Sequence, residues 1–358
     1  MRQYHSLTVS QISAETPDSV RIGLDVPAAL RSEFDFLPGQ HLPFEATVGG
    51  KKLRRTYSIS SVPGEWPLEI GIRVQPGGAF STFAAEELKV GDQLQVMPPF
   101  GRFHADIDAQ KAGSYLAFAA GSGITPIISI IRATLEGEPS SRFVLFYGNR
   151  SQQSTMFIDD LFALKNRFPD RLQLNFLFSR EEQEFPILGG RLDATKVREL
   201  HEHFCVGFKP TEAFICGPDT MIATVTEVLS SLGFDDSAIH AERFGAARKP
   251  RVTQPLAEVT DATGKQAEIF VIMDGHRKSF KMPVEGAAIV DAAADKGIEL
   301  PYSCKGGVCA TCRTHVREGE VRMDTNYGLE PWEIEKGFVL ACQSHPLTDS
   351  VVLDYDKT

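Results

Sequence analysis

The sequence lacks long apolar runs and an excess of basic residues. No apolar stretch reaches the ~18 residues that a membrane-spanning helix requires, so we expect no membrane span. A formal net charge of −10 disfavours nucleic acid or an anionic membrane as the main partner. No N-terminal segment combines basic residues with an apolar run, so we also expect no signal peptide and a cytoplasmic location.

Cysteine is scarce and unevenly distributed. Only six cysteines occur in 358 residues; Cys205 and Cys216 are isolated, and the other four lie close to the C-terminus. A chain of this length can bury a core without disulfides or metal. In a cytosolic protein, such clustering indicates metal binding rather than disulfide bonds.

The pattern of short apolar segments changes twice along the chain. Residues 1–110 alternate β-branched strands with glycine turns, which predicts an antiparallel β-barrel. Residues 111–245 alternate buried strands with helices, which predicts a doubly wound α/β domain. Its predicted parallel strands are the apolar runs Tyr115–Ala119, Phe143–Tyr147, Leu172–Phe178 and Ala213–Cys216. A proline-containing linker is predicted at 246–265. Residues 266–358 read as a small α+β domain, so the fold class is multi-domain.

The cysteine cluster has the most informative spacing. Cys304, Cys309 and Cys312 form a C-x4-C-x2-C motif, and Cys342 follows after a further 29 residues. This is the plant-type ferredoxin spacing for a [2Fe–2S] cluster, with Gly306 and Gly307 allowing the loop to bend so that N–H groups point at sulfurs. A structural zinc site fits poorly, because zinc usually takes paired C-x2–4-C knuckles.

Two segments of the first domain could bind a flavin and its phosphates. Arg55, Tyr57 and Ser58 lie on one predicted strand, where they could present a cation, a ring and a hydroxyl to the cofactor. A half-exposed strand with a surface arginine is the alternative. Gly78 precedes Ser81 and Thr82 at a predicted helix start, which is either a phosphate site or a capped glycine turn.

The second domain offers candidate nucleotide contacts at strand ends. Gly121, Gly123 and Thr125 follow the first parallel strand, where glycines permit a close approach of the backbone. Cys216 ends a later strand beside the expected nucleotide cleft. It could contact the nucleotide or be merely a small buried residue.

Basic residues at two further strand ends bear on nucleotide choice. Ser179 and Arg180 could bind the 2′-phosphate of NADPH, whereas an acidic residue such as Glu181 would favour NADH. Arg150 is a second candidate cation, and either arginine could be a solvated surface charge.

Together these motifs resemble the ferredoxin–NADP reductase superfamily, in the oxygenase-reductase branch with a C-terminal plant-type ferredoxin. The resemblance spans the chain. It implies an FAD-binding β-barrel, an NAD(P)-binding α/β domain and a β-grasp [2Fe–2S] domain. It also implies Ser58 near flavin N5, Cys216 near the nicotinamide and a reductase module that ends at Glu242 and Phe244. Ser58, Cys216 and Glu242 are thus the predicted catalytic residues, and Phe244 either covers the flavin or packs in the core.

The resemblance implies an enzyme that passes electrons from NADPH through FAD and the cluster to a di-iron oxygenase, most closely one that epoxidises phenylacetyl-CoA. Another aromatic-ring or steroid hydroxylase is the first alternative. A non-catalytic ferredoxin carrier or redox sensor is the second. Residues 266–358 hold ten Lys and Arg against fifteen Asp and Glu, which predicts a basic docking surface on the partner.

Overall fold

The computed structural model describes residues 3–244 and 265–357, which fall into two compact units. The first unit comprises Gln3–Phe244, and the second begins in the described chain at Lys265. Most of the predicted linker, 246–264, lies outside the described residues. No helix in the described ranges is both long and apolar enough to span a bilayer.

The first unit opens with an antiparallel six-stranded sheet. Its elements are β1 (His5–Thr16), β2 (Ser19–Asp25), β3 (His41–Val48), β4 (Lys51–Ser58), β5 (Leu68–Arg73), α1 (Ala79–Glu86) and β6 (Gln93–Val96). The strand order is β4-β3-β6-β1-β2-β5. A bridge between Ile59 and Ile70 joins the two outer strands, which closes the sheet into a barrel. The predicted β-barrel is confirmed.

The second half of this unit is a parallel sheet with helices on both faces. Its elements are β7 (Ser114–Ala120), α2 (Ile124–Gly137), β8 (Arg142–Asn149), α3 (Ile158–Arg167), β9 (Leu172–Phe178), α4 (Ala194–Phe204), β10 (Glu212–Gly217), α5 (Asp219–Ser231) and β11 (Ile239–Arg243). The order β11-β10-β7-β8-β9 reverses direction between β7 and β10. Ligands of doubly wound sheets bind beside such a reversal.

The amino-acid pattern explains these strands. The inner strand β7 is almost entirely buried, since it packs against α2 on one face and against α5 on the other. A strand covered on both faces needs a continuous apolar run rather than alternation. The two cores on either side of the sheet therefore hold the carboxyl ends of β7 and β10 at fixed positions.

The C-terminal unit is a mixed five-stranded sheet packed against one short helix. Its elements are β12 (Gln266–Met273), β13 (His276–Pro283), α6 (Ile289–Asp295), β14 (Arg313–Glu318), β15 (Val321–Met323), α7 (Pro331–Glu335), β16 (Phe338–Leu340), β17 (Ser344–Pro346) and β18 (Ser350–Asp354). The sheet order is β13-β12-β18-β14-β16, with β12 and β18 parallel. This is the predicted α+β β-grasp arrangement. The cysteine loop joins α6 to β14.

Candidate functional site

The turn after β7 lies against the end of β10 at the reversal of the parallel sheet. A Cβ added to Gly123 would lie 2.1 Å from the backbone carbonyl oxygen of Cys216, so no larger residue fits. Gly121 has a φ of +55°, in the left-handed region that favours glycine. Thr125 is buried and its hydroxyl donates to the Ser122 carbonyl at 3.0 Å. The predicted nucleotide turn is therefore built on a close backbone contact.

A buried carboxylate joins the barrel to the parallel sheet. Glu242 on β11 is paired in register with Cys216 on β10. Its Oε2 accepts a hydrogen bond from the Ser58 hydroxyl at 3.3 Å, and its Oε1 lies 3.2 Å from Nδ1 of His41. All four side chains are less than 9% exposed. The three predicted catalytic residues Ser58, Cys216 and Glu242 thus come together.

His41 is the member of this group that the sequence analysis missed. It is paired with Ser58 across β3 and β4, and 201 positions separate it from Glu242. Its Nε2 is buried and has no hydrogen-bond partner within the described residues. A histidine after Pro-Gly-Gln carries no motif by itself, so only the tertiary contact identifies it. A buried ring nitrogen without a partner fits a site that a ligand completes.

Cys216 is a neutral thiol in this arrangement. Its side chain is fully buried, and burial raises its pKa well above the usual value. The nearby carboxylate of Glu242 raises that pKa further. A reactive thiolate is therefore disfavoured, and Cys216 contributes a small uncharged surface at the carboxyl end of β10.

The predicted flavin strand presents three different environments. Arg55 is exposed, so its guanidinium is available to an anion from solvent. The ring of Tyr57 packs 5.5 Å from that of Phe80 and 5.7 Å from that of Phe44. Burial raises the pKa of Tyr57, so its hydroxyl stays protonated. The strand offers a cation, an aromatic face and the buried Ser58 hydroxyl in succession, which fits a flavin.

In the glycine turn before α1, the predicted phosphate-binding hydroxyl of Ser81 bonds to the backbone of the turn. The Ser81 hydroxyl donates to the Gly78 carbonyl at 3.0 Å and accepts from the Gln75 N–H at 3.1 Å. A Cβ on Gly78 would lie 2.5 Å from that hydroxyl oxygen. Ser81 therefore stabilises the turn, while Thr82 is partly exposed at the helix start.

The basic candidates for nucleotide binding lie at the ends of β8 and β9. The backbone N–H of Arg180 donates to the Arg150 carbonyl at 2.9 Å, and the Ser179 N–H donates to the Asn149 carbonyl at 3.0 Å. The Arg150 guanidinium is paired with Asp18 of the barrel. Glu181 accepts a hydrogen bond from the Gln152 N–H at 2.9 Å. Ser179 and Arg180 are exposed side by side.

Arg73 is a further cation that the sequence analysis did not select. It ends β5, and a Cβ added to Gly121 would lie 2.9 Å from its Nη1. Its guanidinium donates to the Ser154 carbonyl, and Asp18 lies 3.6 Å from its Nε. The glycine turn after β7 is therefore lined by a barrel arginine, which only the tertiary structure places there.

Phe244 follows the last strand of the first unit. It is 43% exposed, so the alternative of core packing is wrong. Its predicted role as a cover for the flavin stays a prediction.

The four clustered cysteines form two pairs. The Cys304 N–H donates to the Cys309 sulfur and the Cys309 N–H to the Cys304 sulfur, both at 3.4 Å. Cys312 and Cys342 are likewise in hydrogen-bond contact, which raises the pKa of the first and lowers that of the second. Two cysteines on each of two irons is the arrangement that a [2Fe–2S] cluster needs.

A single-ion site is not formed by these residues. Among the side chains that the structure describes, no three His, Cys, Asp or Glu converge as ligands of one metal ion. Structural zinc takes four ligands in a closed tetrahedron. The arrangement of the four cysteines as two pairs fits the binuclear cluster.

Donors of the cysteine loop point at its sulfurs. The Gly306 N–H lies 3.3 Å from the Cys304 sulfur, and the Thr311 hydroxyl lies 3.1 Å from that of Cys309. Hydrogen bonding from Cys309, which outweighs the effect of burial, lowers the pKa of Cys304. Such donors stabilise thiolates and orient metal ligands. The donor set fits the cluster.

The bend of the cysteine loop was predicted at Gly306 and Gly307, and only Gly307 takes part in it. Gly307 has a φ of +74°, and a Cβ there would lie 3.0 Å from the Thr325 carbonyl oxygen. Gly306 does not take a left-handed conformation; Lys305 and Ala310 do, with φ of +52° and +50°. Non-glycine residues in this region cost about 1 kcal/mol or more, and such strain concentrates at functional sites.

Three domain families match successive parts of the chain. Residues 6–105 match the oxidoreductase FAD-binding domain, 118–227 the oxidoreductase NAD-binding domain, and 271–347 the 2Fe-2S iron-sulfur cluster binding domain. The chain is 43% identical to one of the subunits of 1,2-phenylacetyl-CoA epoxidase from Escherichia coli K12, over 99% of both chains. The chain belongs to this family of oxygenase reductases.

Other relatives of the reductase serve different oxygenases. It is 32% identical to the ferredoxin reductase component of 3-ketosteroid-9-alpha-monooxygenase of Rhodococcus rhodochrous, over 98% of this chain and 96% of that one. It is therefore an NAD(P)H-dependent oxidoreductase that uses FAD and a [2Fe–2S] cluster.

Solved structures share the fold of the reductase. Phthalate dioxygenase reductase aligns over 98% of both chains with a TM-score of 0.59 at 23% identity. A type IV self-sufficient cytochrome P450 monooxygenase aligns over 98% of this chain with a TM-score of 0.67 at 20% identity, and the reductase spans 41% of that longer chain. At these identities the likeness concerns the fold alone.

Glu242→Gln tests the buried group at the flavin strand. A neutral amide keeps the shape but replaces one acceptor by a donor, so it cannot accept from both Ser58 and His41. We expect the rate of flavin reduction by NADPH to fall about 100-fold, within the range for losing a proton-transfer group. Stopped-flow absorbance of bound FAD measures it.

The matched control is Glu212→Gln at the opposite end of the same two strands. Glu212 Oε2 lies 3.2 Å from Nε2 of His240, which makes it a His–Glu pair away from the glycine turn, although its side chains are more exposed, at 28% and 31%. We expect this variant to reduce its flavin at the wild-type rate. Equal losses in both variants would show that Glu242 acts only through stability.

Proposed function

We propose that the reductase takes hydride from NADPH and delivers single electrons to a di-iron oxygenase that epoxidises phenylacetyl-CoA. The observation that carries this choice of partner is the 43% identity, over 99% of both chains, with a component of such an epoxidase. The ketosteroid monooxygenase component is 32% identical. A steroid hydroxylase is therefore the second candidate partner. The cytoplasm is the compartment we propose, in keeping with six cysteines of which none forms a disulfide.

Each group of residues has a distinct task in this proposal. When bound, FAD supplies the conversion of a two-electron hydride into single electrons, and the cluster supplies one-electron transfer. Arg55, Tyr57 and Ser58 hold the flavin, while Gly78 and Thr82 leave the start of α1 open to its phosphates. Cys304, Cys309, Cys312 and Cys342 hold the two irons.

The chain's own residues control a proton beside the flavin strand. The Ser58 hydroxyl donates to Glu242, whose other oxygen faces His41. Because the group is buried, water does not compete for these hydrogen bonds. Glu242 orients the hydroxyl proton of Ser58 toward its own carboxylate, and the contact with His41 holds that carboxylate in position. Cys216 stays protonated, so it presents a small uncharged surface at the expected position of the nicotinamide.

The choice of NADPH follows from the charges at the end of β9. Ser179 and Arg180 are exposed together, whereas the carboxylate of Glu181 is held by the Gln152 N–H. A carboxylate engaged in this way is not directed at ribose hydroxyls. The Ser179 hydroxyl donates to the Asn149 carbonyl at 3.3 Å, so the Arg180 guanidinium is the group left to bind a 2′-phosphate.

Arg180→Ala is expected to weaken NADPH and spare NADH. Losing a charge-assisted bond costs about 1.5–3 kcal/mol, so the KM for NADPH should rise about 10- to 100-fold. The KM for NADH should change less than about twofold, since NADH has no 2′-phosphate to lose. Steady-state reduction of a dye acceptor measures both.

Arg198→Ala is the control for this change. Arg198 is an exposed cation of α4 that donates to the Ser231 hydroxyl at 3.0 Å. It should leave both KM values unchanged. An equal rise for NADH and NADPH in Arg180→Ala would refute the assignment.

The surface beside the cysteine loop suits a partner with a basic patch. The Tyr327 N–H donates to the Gly307 carbonyl at 2.9 Å, so the segment leading to α7 lies directly on the loop. Tyr327, Trp332 and Ile334 are between 45% and 48% exposed. Exposed Glu330 and Glu335 border them. An apolar centre with an acidic rim is typical of a docking surface.

Electron delivery to the oxygenase should therefore slow as ionic strength rises. Screening lengths fall from ~10 Å at 0.1 M salt to ~3 Å at 1 M, which weakens attraction between exposed charges. We expect kcat/KM for the oxygenase to fall at least about tenfold across this range. Stopped-flow mixing of the reduced reductase with the oxygenase measures it, and a rate indifferent to salt would contradict the docking proposal.

Reconstitution decides the function itself. The holoprotein, NADPH, the di-iron oxygenase component and phenylacetyl-CoA are combined, and epoxide formation is measured against NADPH consumption. We expect near-equal amounts of both, and a ketosteroid hydroxylase in place of the epoxidase should be served poorly. If NADPH bleaches the flavin absorbance but no epoxide forms, another oxygenase is the physiological partner. A protein without flavin would support the passive carrier or sensor.

A further inference from the structure

A tyrosine at the end of the last strand has a buried hydroxyl with nothing to bond. Tyr355 follows β18 directly, and its backbone N–H donates to the Ile272 carbonyl at 2.9 Å, which fixes the backbone. The ring is partly exposed, but the hydroxyl oxygen is buried and has no hydrogen-bond partner among the described residues. A buried hydroxyl without a partner costs about 1–3 kcal/mol, so such groups need an explanation.

The strand register places Tyr355 beside the segment that follows Cys312. His315 on β14 is opposite Asp354 on β18, and the strands are antiparallel. Continuing that register by one residue puts Tyr355 beside Thr314. Cys312 lies in the turn directly before β14, so the end of β18 runs next to the residues that follow this cysteine.

The packing agrees with the register. Tyr355 packs against the buried core of the C-terminal unit, which includes both Cys312 and Cys342. A phenol keeps its proton at neutral pH, so the Tyr355 hydroxyl is available as a donor in this core.

We infer that the Tyr355 hydroxyl donates a hydrogen bond to a cluster sulfur on the side held by Cys312 and Cys342, and that it raises the reduction potential of the cluster. The negative charge that arrives with an electron is stabilised by a nearby donor, so hydrogen bonds to sulfur help set such potentials. The first pair already has the Gly306 N–H and the Thr311 hydroxyl. The second pair has the Gln343 amide at 3.6 Å from the Cys342 sulfur, and Tyr355 adds a stronger donor.

Tyr355→Phe in the full-length holoprotein removes only the hydroxyl. We expect the midpoint potential of the cluster to become more negative in a redox titration followed by electron paramagnetic resonance. An exchangeable proton coupled to the reduced cluster, detected by electron–nuclear double resonance in H₂O against D₂O, should disappear. Flavin reduction by NADPH should proceed at the wild-type rate.

Tyr115→Phe is the matched control. It also removes a buried tyrosine hydroxyl, but this one belongs to the first unit and donates to Glu138 at 2.8 Å. This variant should keep the wild-type potential.

Replacement of Tyr355 by 3-fluorotyrosine is a second test, which applies even if Tyr355→Phe loses its cluster. The substitution keeps the ring and makes the hydroxyl a stronger donor. The potential should therefore shift in the direction opposite to that of Tyr355→Phe.

An unchanged potential in both Tyr355 variants, with the exchangeable proton retained, would overturn the inference and show that water satisfies the hydroxyl. That result would leave the proposed function intact, since NADPH would still reduce the flavin and the cluster. Loss of NADPH-dependent flavin reduction in the wild-type protein would instead refute the proposed function.

Discussion

The first unit depends on one buried carboxylate. Glu242 belongs to the parallel sheet, yet its two oxygens are engaged by Ser58 and His41 of the barrel. A charge buried without partners would cost several kcal/mol, so the three side chains hold one another in place. Because Glu242 is in register with Cys216, and Cys216 touches Gly123, the flavin strand and the nucleotide turn are positioned by the same few contacts.

The residues where the barrel meets the parallel sheet have different physical roles. The Ser58 hydroxyl donates to Glu242 in a buried region, whereas Cys216 is held neutral by burial. Arg73 extends from the barrel to the glycine turn, where its positive charge would attract the phosphates of the proposed nucleotide. In the proposed function the barrel would therefore contribute to nucleotide binding as well as to flavin binding.

The pattern of apolar residues along the sequence predicts much of the fold, but it predicts only some of the site residues. Continuous apolar runs gave β7, β8 and β10 to within two residues at each end, since burial on both faces leaves no alternative composition. His41 could not be found in this way, because its partner is 201 positions distant. Ser81 was expected at phosphate but its hydroxyl closes a turn. Local sequence cannot distinguish a hydroxyl that a ligand uses from one that the backbone uses.

The pairing of the cysteines has a consequence for how the cluster is gained and lost. Cys304 and Cys309 belong to one short loop, whereas the other pair ties that loop to the residue just after β16, across 30 positions of chain. One iron would therefore be held within a single short loop, while the second would require the sheet to be formed. Metal affinity and folding of the C-terminal unit share the same free energy. Under iron starvation, the FAD- and NAD-binding part of the chain would still react with NADPH. The C-terminal unit would lack the link through the cluster between its cysteine loop and Cys342.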